Sequence, residues 1–286
     1  MKFLIAGGDL RFAWLAALLR REGHEVCCFA LDGAPPELTG SCALAPGAMD
    51  DADCIVLPLP VLGAGGGLNA PMSAFSYDIE MIFAALPKTA LVCGGLANDR
   101  VLRVAREQGL ELVDYYQREE LVALNALATA EGALDLILHT SPMTVWDSRI
   151  LVVGYGRIGK LLAPRLRALG AHVTVSARND GDKAYIRANG FDALDTRSLG
   201  AELAAFDTIV NTVPARIFGR ARLAQIRPDA LCLDLASRPG GFDFEAAKTL
   251  DRNVVWALGL PAETAPETAG RIIGETVINI LREKRG

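Results

Sequence analysis

The chain has 286 residues, of which 51% are hydrophobic and 22% are charged, and its formal net charge is −5. This length is enough for two domains with a core each, and the composition excludes a disordered chain. The negative charge argues against nucleic acid and against a membrane surface as the main partner, although a few local arginines can still hold a small anion.

The cysteines and the N-terminus predict a cytoplasmic protein without a metal site. The six cysteines form no C-x-x-C pair and stand at no ligand spacing from a histidine, so we expect reduced and mostly buried thiols. The apolar segment Met1–Ala6 meets Gly7 too soon to be the core of a secretory signal. We also expect no apolar run long enough to span a bilayer.

Short runs rich in Val, Ile and Leu alternate with longer helical patterns, which is typical of parallel sheets covered by helices on both faces. The predicted strands of the first half are Lys2–Ala6, Glu25–Ala30, Cys54–Pro58, Ala90–Cys93 and Glu111–Tyr115. Those of the second half are Arg149–Val153, His172–Ser176, Thr208–Asn211, Leu231–Leu235 and Val254–Ala257. The predicted helices include Phe12–Arg21, Ile79–Leu86, Asn98–Gln108, Ile158–Leu169 and Phe244–Leu250.

The two halves resemble each other. Gly7 and Gly154 each follow the first strand of a half, and Gly23 and Gly170 precede the next strand at the same spacing. Convergence explains this as well, since tight turns need glycine in any such unit. We favour an α/β fold of two similar Rossmann-like domains with parallel sheets, joined by a hinge helix.

The segment Arg118–Thr140 predicts this hinge helix, with a break at Ala128-Thr129. Thr129 would cap a new helix start, and Glu131 would complement the dipole in its first turn. Glu267–Glu283 predicts a final helix that returns to the first domain. The predicted organisation is a substrate domain over residues 1–118, a hinge segment over 119–142, a nucleotide-binding domain over 143–262 and a C-terminal helix over 263–286.

A G-x-G-x-x-G loop follows the first strand of the second half and opens a helix. Gly154 allows the tight turn, Gly156 lets the backbone approach a pyrophosphate, and Gly159 lets the helix pack closely on the strand. The phosphates would lie at the helix N-terminus. A glycine turn without a ligand is the alternative. The loop residues expected to contact the cofactor are Gly154, Gly156, Arg157, Ile158 and Gly159.

The next strand indicates which nicotinamide cofactor binds. It ends at Arg178 without the acidic residue that bonds the ribose 2′-hydroxyl in NAD enzymes. Ser176 and Arg178 can bind a 2′-phosphate instead, so we expect NADP in preference to NAD. Asp180 keeps NAD open, because a short loop can return it to the ribose.

Two further loops lie at the carboxyl edge of this sheet, where α/β proteins bind ligands. The first is expected to cover the nicotinamide with Asn211, Thr212, Val213 and Pro214. The second contains Arg238, which is expected to point into the cleft between the domains. Plain turn chemistry of its Pro-Gly-Gly is the alternative.

The first domain carries candidate substrate contacts at its own carboxyl edge. Phe12 stands where the second half has Gly159, so we expect no second dinucleotide there. The helix start and Arg11 can bind a carboxylate instead. A long glycine-rich loop adds Asn69 and Ser73 as candidate contacts.

Several motifs together resemble the family of the dipicolinate synthase A-subunit. They are Gly-Gly-Asp-x-Arg at Gly7–Arg11, Leu-Pro-Leu-Pro at Leu57–Pro60, Asp114-Tyr115, Arg118-Glu119-Glu120, Thr-Ala-Glu-Gly at Thr129–Gly132 and Gly-Tyr-Gly-Arg at Gly154–Arg157. More distantly, the layout is similar to alanine dehydrogenases and 2-hydroxyacid dehydrogenases. The resemblance implies oxidation of dihydrodipicolinate to dipicolinate with NADP during bacterial spore formation. It also implies a flavoprotein-like partner, the B-subunit of dipicolinate synthase.

The chemistry of this dicarboxylate suggests roles for residues of the cleft. Arginines should hold the two carboxylates, and Arg11, Arg118 and Arg238 are the candidates, with Thr129 beside them. Aromatisation also releases a proton to a base. Because the histidines are poorly placed, we expect a carboxylate buried in the cleft, with Glu131 as the first choice and Asp9 as the second.

Two other functions stay open from the sequence. The chain can be a non-catalytic nucleotide-binding subunit whose partner performs the chemistry. It can also be a dehydrogenase of a 2-oxo or 2-amino acid. A homo-oligomer is compatible with either function.

Overall fold

The computed structural model describes residues 1–43, 45, 47 and 50–285. Gly286, the last residue of the predicted C-terminal segment, lies outside the described residues. The chain divides into two compact units. Met1–Asn125 and Ala265–Gly286 make up the first unit, and Ala126–Thr264 make up the second.

The first unit is built on a parallel sheet of six strands in the order β3-β2-β1-β4-β5-β6. Its strands are β1 (Lys2–Ala6), β2 (Glu25–Phe29), β3 (Cys42–Ala43), β4 (Cys54–Val56), β5 (Leu91–Gly94) and β6 (Leu112–Asp114), and its helices before the crossing to the second unit are α1 (Leu10–Arg21), α2 (Pro36–Thr39), α3 (Ile79–Ala85) and α4 (Asp99–Glu107). Phe3 and Ile5 of β1 are wholly buried on the α1 side, and Leu4 is buried on the α3 and α4 side. The central strand is apolar from Phe3 to Ala6 because both faces of the sheet are covered.

Helix α5 (Glu119–Thr140) runs without interruption, so the predicted break at Ala128-Thr129 is wrong. Half of the 22 residues of this helix are alanine or leucine, which favour a helix. A threonine inside a helix costs at most about 0.7 kcal/mol relative to alanine. Ending the helix there would remove several backbone hydrogen bonds that contribute about 1 kcal/mol each, so the uninterrupted helix is the more stable arrangement. Thr129 is accordingly a buried residue in the middle of α5 and not a cap.

The same helix corrects a second expectation, because its length and composition would allow it to span a bilayer. Several of its apolar positions nevertheless belong to protein cores, although Leu124 and Leu138 are exposed. Leu121 is buried in the core of the first unit, and Ala130, Ala133 and Ile137 are buried in the core of the second. This distribution is that of a core helix.

The second unit repeats the architecture, with six parallel strands in the order β12-β11-β10-β7-β8-β9. Its strands are β7 (Arg149–Val153), β8 (His172–Ala177), β9 (Asp192–Asp195), β10 (Thr208–Asn211), β11 (Leu231–Asp234) and β12 (Val254–Trp256), and its helices are α6 (Arg157–Ala168), α7 (Asp180–Ala188), α8 (Arg220–Leu223), α9 (Phe244–Thr249) and α10 (Leu260–Thr264). In both sheets the first strand of the unit is flanked by its second and fourth strands, which is the Rossmann order. The predicted α/β fold of two Rossmann-like parallel sheets is confirmed.

Helix α11 (Pro266–Arg285) belongs to the first unit and packs against α1. A Cβ atom at Gly270 would lie 2.4 Å from the carbonyl oxygen of Arg11, and one at Gly274 would lie 2.9 Å from Leu15. The two helices therefore approach as closely as they do because these positions carry no side chain. The buried residues of α11 include Ile272, Ile273, Val277 and Ile280.

Candidate dinucleotide site

The loop between β7 and α6 has the backbone geometry that the sequence motif predicts. Gly154 has a φ of 103°, and a Cβ atom there would lie 2.4 Å from Oγ1 of Thr212. A Cβ atom at Gly159 would lie 2.1 Å from the carbonyl oxygen of Gly154. Both positions therefore require glycine, one for the turn and one for the close packing of helix on strand.

Gly156 differs from its two neighbouring glycines, because it faces open space. It is the N-cap residue of α6, and no side chain caps this helix start. Among the described residues, no atom outside the loop lies within 4 Å of a Cβ placed at Gly156. The first turn of α6 also contains no acidic residue. A helix start without a side-chain cap, the positive end of the helix dipole and an open approach together suit an anionic group such as a pyrophosphate.

The corresponding turn of the first unit is filled by the protein itself. Asp9 is the N-cap of α1, and its carboxylate accepts a hydrogen bond from the backbone amide of Arg11 at 3.1 Å. The amide of Gly8 donates to the carbonyl oxygen of Asn69 at 2.8 Å. The ring of Phe12 lies against Gly8, where a Cβ atom would be 2.3 Å from it. These contacts support the expectation that no second dinucleotide binds here.

Arg11 is paired within its own unit in this structure, so its predicted contact with a substrate carboxylate is not supported by its present contacts and stays a prediction. Its side chain is only 8% exposed. Its Nε and Nη2 atoms donate to the two carboxylate oxygens of Asp9 at 2.9 and 2.7 Å, and Nη2 also donates to the carbonyl oxygen of Leu59 at 2.8 Å. The buried guanidinium is neutralised inside its own unit. Both carboxylate oxygens of Asp9 accept hydrogen bonds from Arg11.

Arg118 is likewise committed to partners within the first unit. Its Nη1 and Nη2 atoms donate to the carboxylate of Glu283 on α11 at 2.7 and 2.6 Å, and its Nε atom donates to Glu120 at 2.9 Å. These two carboxylates, Glu283 first, raise the pKa of Arg118 above its ordinary value. Arg118 ties the end of α11 to the start of α5, and its predicted role in substrate binding is not supported.

Of the two residues at the end of β8 that were expected to bind a 2′-phosphate, one is buried and the other is exposed. Ser176 is wholly buried, and its hydroxyl accepts a hydrogen bond from Thr196 at 3.0 Å, so its expected cofactor contact is not supported. Arg178 is exposed, and within the described part of the chain it has no hydrogen bond or ion pair. Asp180 is 94% exposed and pairs with Lys183 at 2.9 Å.

The loop after β10 has one buried and three accessible members. Asn211 is wholly buried, and its amide donates to Asp234, so its side chain cannot contact a ligand as predicted. The Thr212 hydroxyl donates to the carbonyl oxygen of Val153 at 2.9 Å. Val213 is half-buried and Pro214 is exposed, so these two present the loop surface to a ligand.

Arg238, Asn69 and Ser73 are the remaining predicted substrate contacts, and they differ in their present partners. Arg238 is exposed, with its Cζ atom 5.6 Å from the centre of the Trp256 ring. Asn69 donates from Nδ2 to the carbonyl oxygen of Pro60 at 3.1 Å, and the Ser73 hydroxyl is 3.0 Å from the Tyr77 hydroxyl. These three residues keep polar or charged groups at the loops where they were expected.

Glu131 lies on α5 with a side chain that is 58% exposed, and its Oε1 atom is 3.6 Å from Nε of Arg165. The expected burial of this carboxylate is therefore not found in the second unit. The neighbouring residue Thr129 is buried within the helix.

Two carboxylates that the sequence did not single out organise the sheet edge. Asp195 ends β9 and accepts hydrogen bonds from Arg197 and Lys183, which hold the pKa of Asp195 well below its usual range. Asp234 ends β11 and is wholly buried. Both are last residues of parallel strands, and this position was the available signal.

Comparisons with known proteins agree with this division of the chain. Residues 2–116 match the family of the N-terminal domain of the dipicolinate synthase A-subunit, and residues 125–246 match the NAD-binding domain of D-isomer specific 2-hydroxyacid dehydrogenases. The dipicolinate synthase A-subunit of Bacillus subtilis (strain 168) is 29% identical to this chain, with 99% of this chain and 96% of the relative covered.

Solved structures extend the similarity to the fold. The crystal structure of the dipicolinate synthase A-subunit from Bacillus halodurans matches with a TM-score of 0.87 at 27% identity, covering 98% of this chain and 97% of that one. L-alanine dehydrogenase, at 12% identity, shares the fold, with a TM-score of 0.66 over 98% of this chain and 89% of that one. The predicted resemblance is thus confirmed: this chain is similar to the dipicolinate synthase A-subunit over nearly its whole length, and most of its second unit is similar to the NAD-binding domain of 2-hydroxyacid dehydrogenases.

Proposed function

We propose that this protein oxidises dihydrodipicolinate to dipicolinate with NADP, in the cytoplasm of a bacterium that forms spores. The observation that carries the proposal is the uncapped start of α6, where Gly156 leaves open space in front of the helix amides. The similarity to the dipicolinate synthase A-subunit along the chain supports the choice of substrate. When bound, NADP would accept one hydride, and the second hydrogen of the substrate would leave as a proton to a base.

The preference for NADP rests on Arg178. This guanidinium stands at the end of β8, where an NAD enzyme usually places an acid, and it is exposed and free of partners among the described residues. A planar cation of this kind suits a 2′-phosphate. Asp180, the residue that kept NAD open, is engaged with Lys183. The cofactor family alone does not separate the two nucleotides, so Arg178 is the residue to test.

The test compares Arg178→Ala with Arg187→Ala in titrations with NADP and NAD. Both arginines are exposed, but Arg187 lies in the last turn of α7, roughly a Debye length or more from the strand end. A charge-assisted hydrogen bond contributes about 1.5–3 kcal/mol, so we expect Arg178→Ala to weaken NADP about 10- to 150-fold and NAD little. Arg187→Ala should change neither affinity. An equal loss of NADP and NAD affinity in Arg178→Ala would reject the preference.

The remaining contacts are part of the same proposal. Arg238, Asn69 and Ser73 are the candidates for holding the two carboxylates of the substrate, and Val213 and Pro214 for covering the nicotinamide. Glu131 remains the first candidate for the base, because its carboxylate is accessible whereas that of Asp9 is engaged by Arg11. A flavoprotein-like B-subunit is the proposed partner, since the relatives are named as the A-subunit of a synthase.

A second candidate function is nucleotide binding without catalysis, with the chemistry performed by a partner subunit. The observation in its favour is that Arg11 and Arg118, two of the three predicted carboxylate-binding arginines, are paired with carboxylates of this chain. Product analysis separates the two functions. The purified chain alone should form dipicolinate and NADPH in equal amounts if it is the oxidoreductase. Turnover that appears only when the partner is added would favour the second candidate.

A further inference from the structure

Asn211 and Asp234 form a buried pair at the carboxyl edge of the second sheet. They are the last residues of β10 and β11 and stand opposite each other in the register of these neighbouring strands. Both side chains are wholly buried. Nδ2 of Asn211 donates a hydrogen bond to Oδ1 of Asp234 at 2.7 Å.

Each member of the pair also holds the loop that follows its own strand. Asn211 donates to the carbonyl oxygen of Val213 at 3.0 Å and accepts from the amide of Val213 at 3.2 Å. Asp234 accepts from the amide of Ala236 on one oxygen and from the amide of Gly241 at 2.6 Å on the other. The hydrogen bond between Asn211 and Asp234 therefore links the two loops, because each residue is also bonded to the loop that follows its strand.

The packing around the pair leaves little freedom for either loop. A Cβ atom at Gly241 would lie 2.1 Å from Nδ2 of Asn211, so the backbone of the second loop rests directly on the side chain that ends the first strand. The Asp234 carboxylate has amide and side-chain N–H donors around it, and a buried carboxylate depends on such donors. If one loop moves, the hydrogen bonds of the other change with it.

We propose that Asn211 and Asp234 are positioning residues that lock the Val213–Pro214 loop and the Arg238 loop into one arrangement. This inference rests on the proposed function, in which the first loop covers the nicotinamide and the second presents Arg238 to the substrate. Neither side chain touches a ligand, because both are buried. They act through the two loops, and they leave the adenosine end of the cofactor site, around Arg178, unchanged.

The first experiment measures the coupling itself by amide hydrogen exchange and needs no catalysis. In Asn211→Ala, the exchange of the Gly241 and Phe242 amides should rise together with that of Val213. In Asp234→Asn, which retains the size of the side chain but places an NH2 group among donors, the exchange of Val213 should rise together with that of Gly241. Faster exchange confined to the substituted residue's own loop would overturn the proposal.

The second experiment separates positioning from general destabilisation. We expect Asn211→Ala and Asp234→Asn to lower kcat by about tenfold or more, while affinity for 2′,5′-ADP, a probe of the adenosine end, stays within about twofold. Asp207→Asn is the control, because Asp207 precedes the amino end of β10 and accepts from Arg227 and the amide of Arg149. This control should lower the melting temperature without lowering kcat. A fall in 2′,5′-ADP affinity that matches the fall in kcat would reject a positioning role.

The two experiments distinguish failure of this inference from failure of the proposed function. If the wild-type protein neither binds NADP nor turns over dihydrodipicolinate, the proposed function is rejected, and the hydrogen-exchange result still decides whether the loops are coupled. If the wild-type protein is active and the exchange of each loop responds alone, only the positioning inference is rejected.

Discussion

We expect the Gly156→Val variant to fold normally but to lose its affinity for NADP. The backbone of Gly156 is extended, with φ of −81° and ψ of −162°, a conformation open to every residue. No atom outside the loop lies within 4 Å of a Cβ atom there, as far as the described residues extend. The free protein should therefore tolerate the variant, at a cost of about 1 kcal/mol or less for a poorer N-cap residue.

Binding should be lost for the same reason that folding is retained. The open space that admits the valine side chain is the space through which a pyrophosphate approaches the amides of α6. Two charge-assisted hydrogen bonds to these amides contribute about 1.5–3 kcal/mol each, so their loss weakens NADP by about 3–6 kcal/mol. At about 1.4 kcal/mol for each factor of ten, the dissociation constant rises about 100-fold at the least.

The assay is a titration with NADP beside thermal unfolding of the same sample. Gly219→Val is the matched control, because Gly219 is also an extended N-cap residue without a side-chain cap or a close neighbour at its Cβ position among the described residues. It should bind NADP as the wild type does. If Gly156→Val is well folded and retains its NADP affinity, the cofactor does not lie against the start of α6 and the reasoning fails.

Three further changes test other parts of the structure. Gly159→Ala should destabilise the fold by about 1–3 kcal/mol in denaturant unfolding, because its Cβ atom would overlap the carbonyl oxygen of Gly154; an unchanged midpoint would contradict this packing. Arg118 holds the pKa of Glu283 below its ordinary value, so their pair stabilises the folded state above a carboxyl pKa of about 4.3 and is lost as the pH falls through the lower folded value. Unfolding curves of Arg118→Gln should accordingly show less stability at about pH 7 and a shallower loss on acidification, and an identical pH profile would refute the pair's role. Glu131→Gln should lower kcat far more than substrate affinity, whereas Asp135→Asn one turn along α5 should not; normal turnover in Glu131→Gln would remove Glu131 as the base.

The glycine loop could be predicted from the sequence because its requirements are local. Gly154 and Gly159 are needed for contacts within a strand, a turn and a helix that are consecutive in the chain. The parallel direction of the strands could be predicted from the alternation of strands and helices, since parallel neighbours need crossover connections. Short elements such as β9 (Asp192–Asp195) were missed because they contain no apolar run.

The partners of Arg11 and Arg118 could not be predicted from the sequence, because the partners of a charged residue depend on the folded chain. Glu283, the partner of Arg118, is 165 residues away in the sequence. Leu59, whose carbonyl oxygen accepts from Arg11, is 48 residues away. The burial of Ser176 could not be predicted for a related reason, since a hydroxyl at a strand end can be buried once another hydroxyl bonds it. The sequence indicates which groups are charged, but not which of them the fold neutralises.

In the first unit, the carboxylate of Asp9 occupies the helix start where an anionic ligand would otherwise bind. A carboxylate attached to the chain at a helix start has an effective concentration on the order of millimolar or higher, so a free anion in solution competes poorly with it. Of the two strand-to-helix turns that open the two units, only the one at α6 lacks a side-chain cap, so a titration should saturate at one nucleotide for each chain. In the first unit, the carboxylate of Asp9 already caps the N-terminus of α1. The loops at the carboxyl ends of its strands can therefore vary in sequence without having to bind a pyrophosphate.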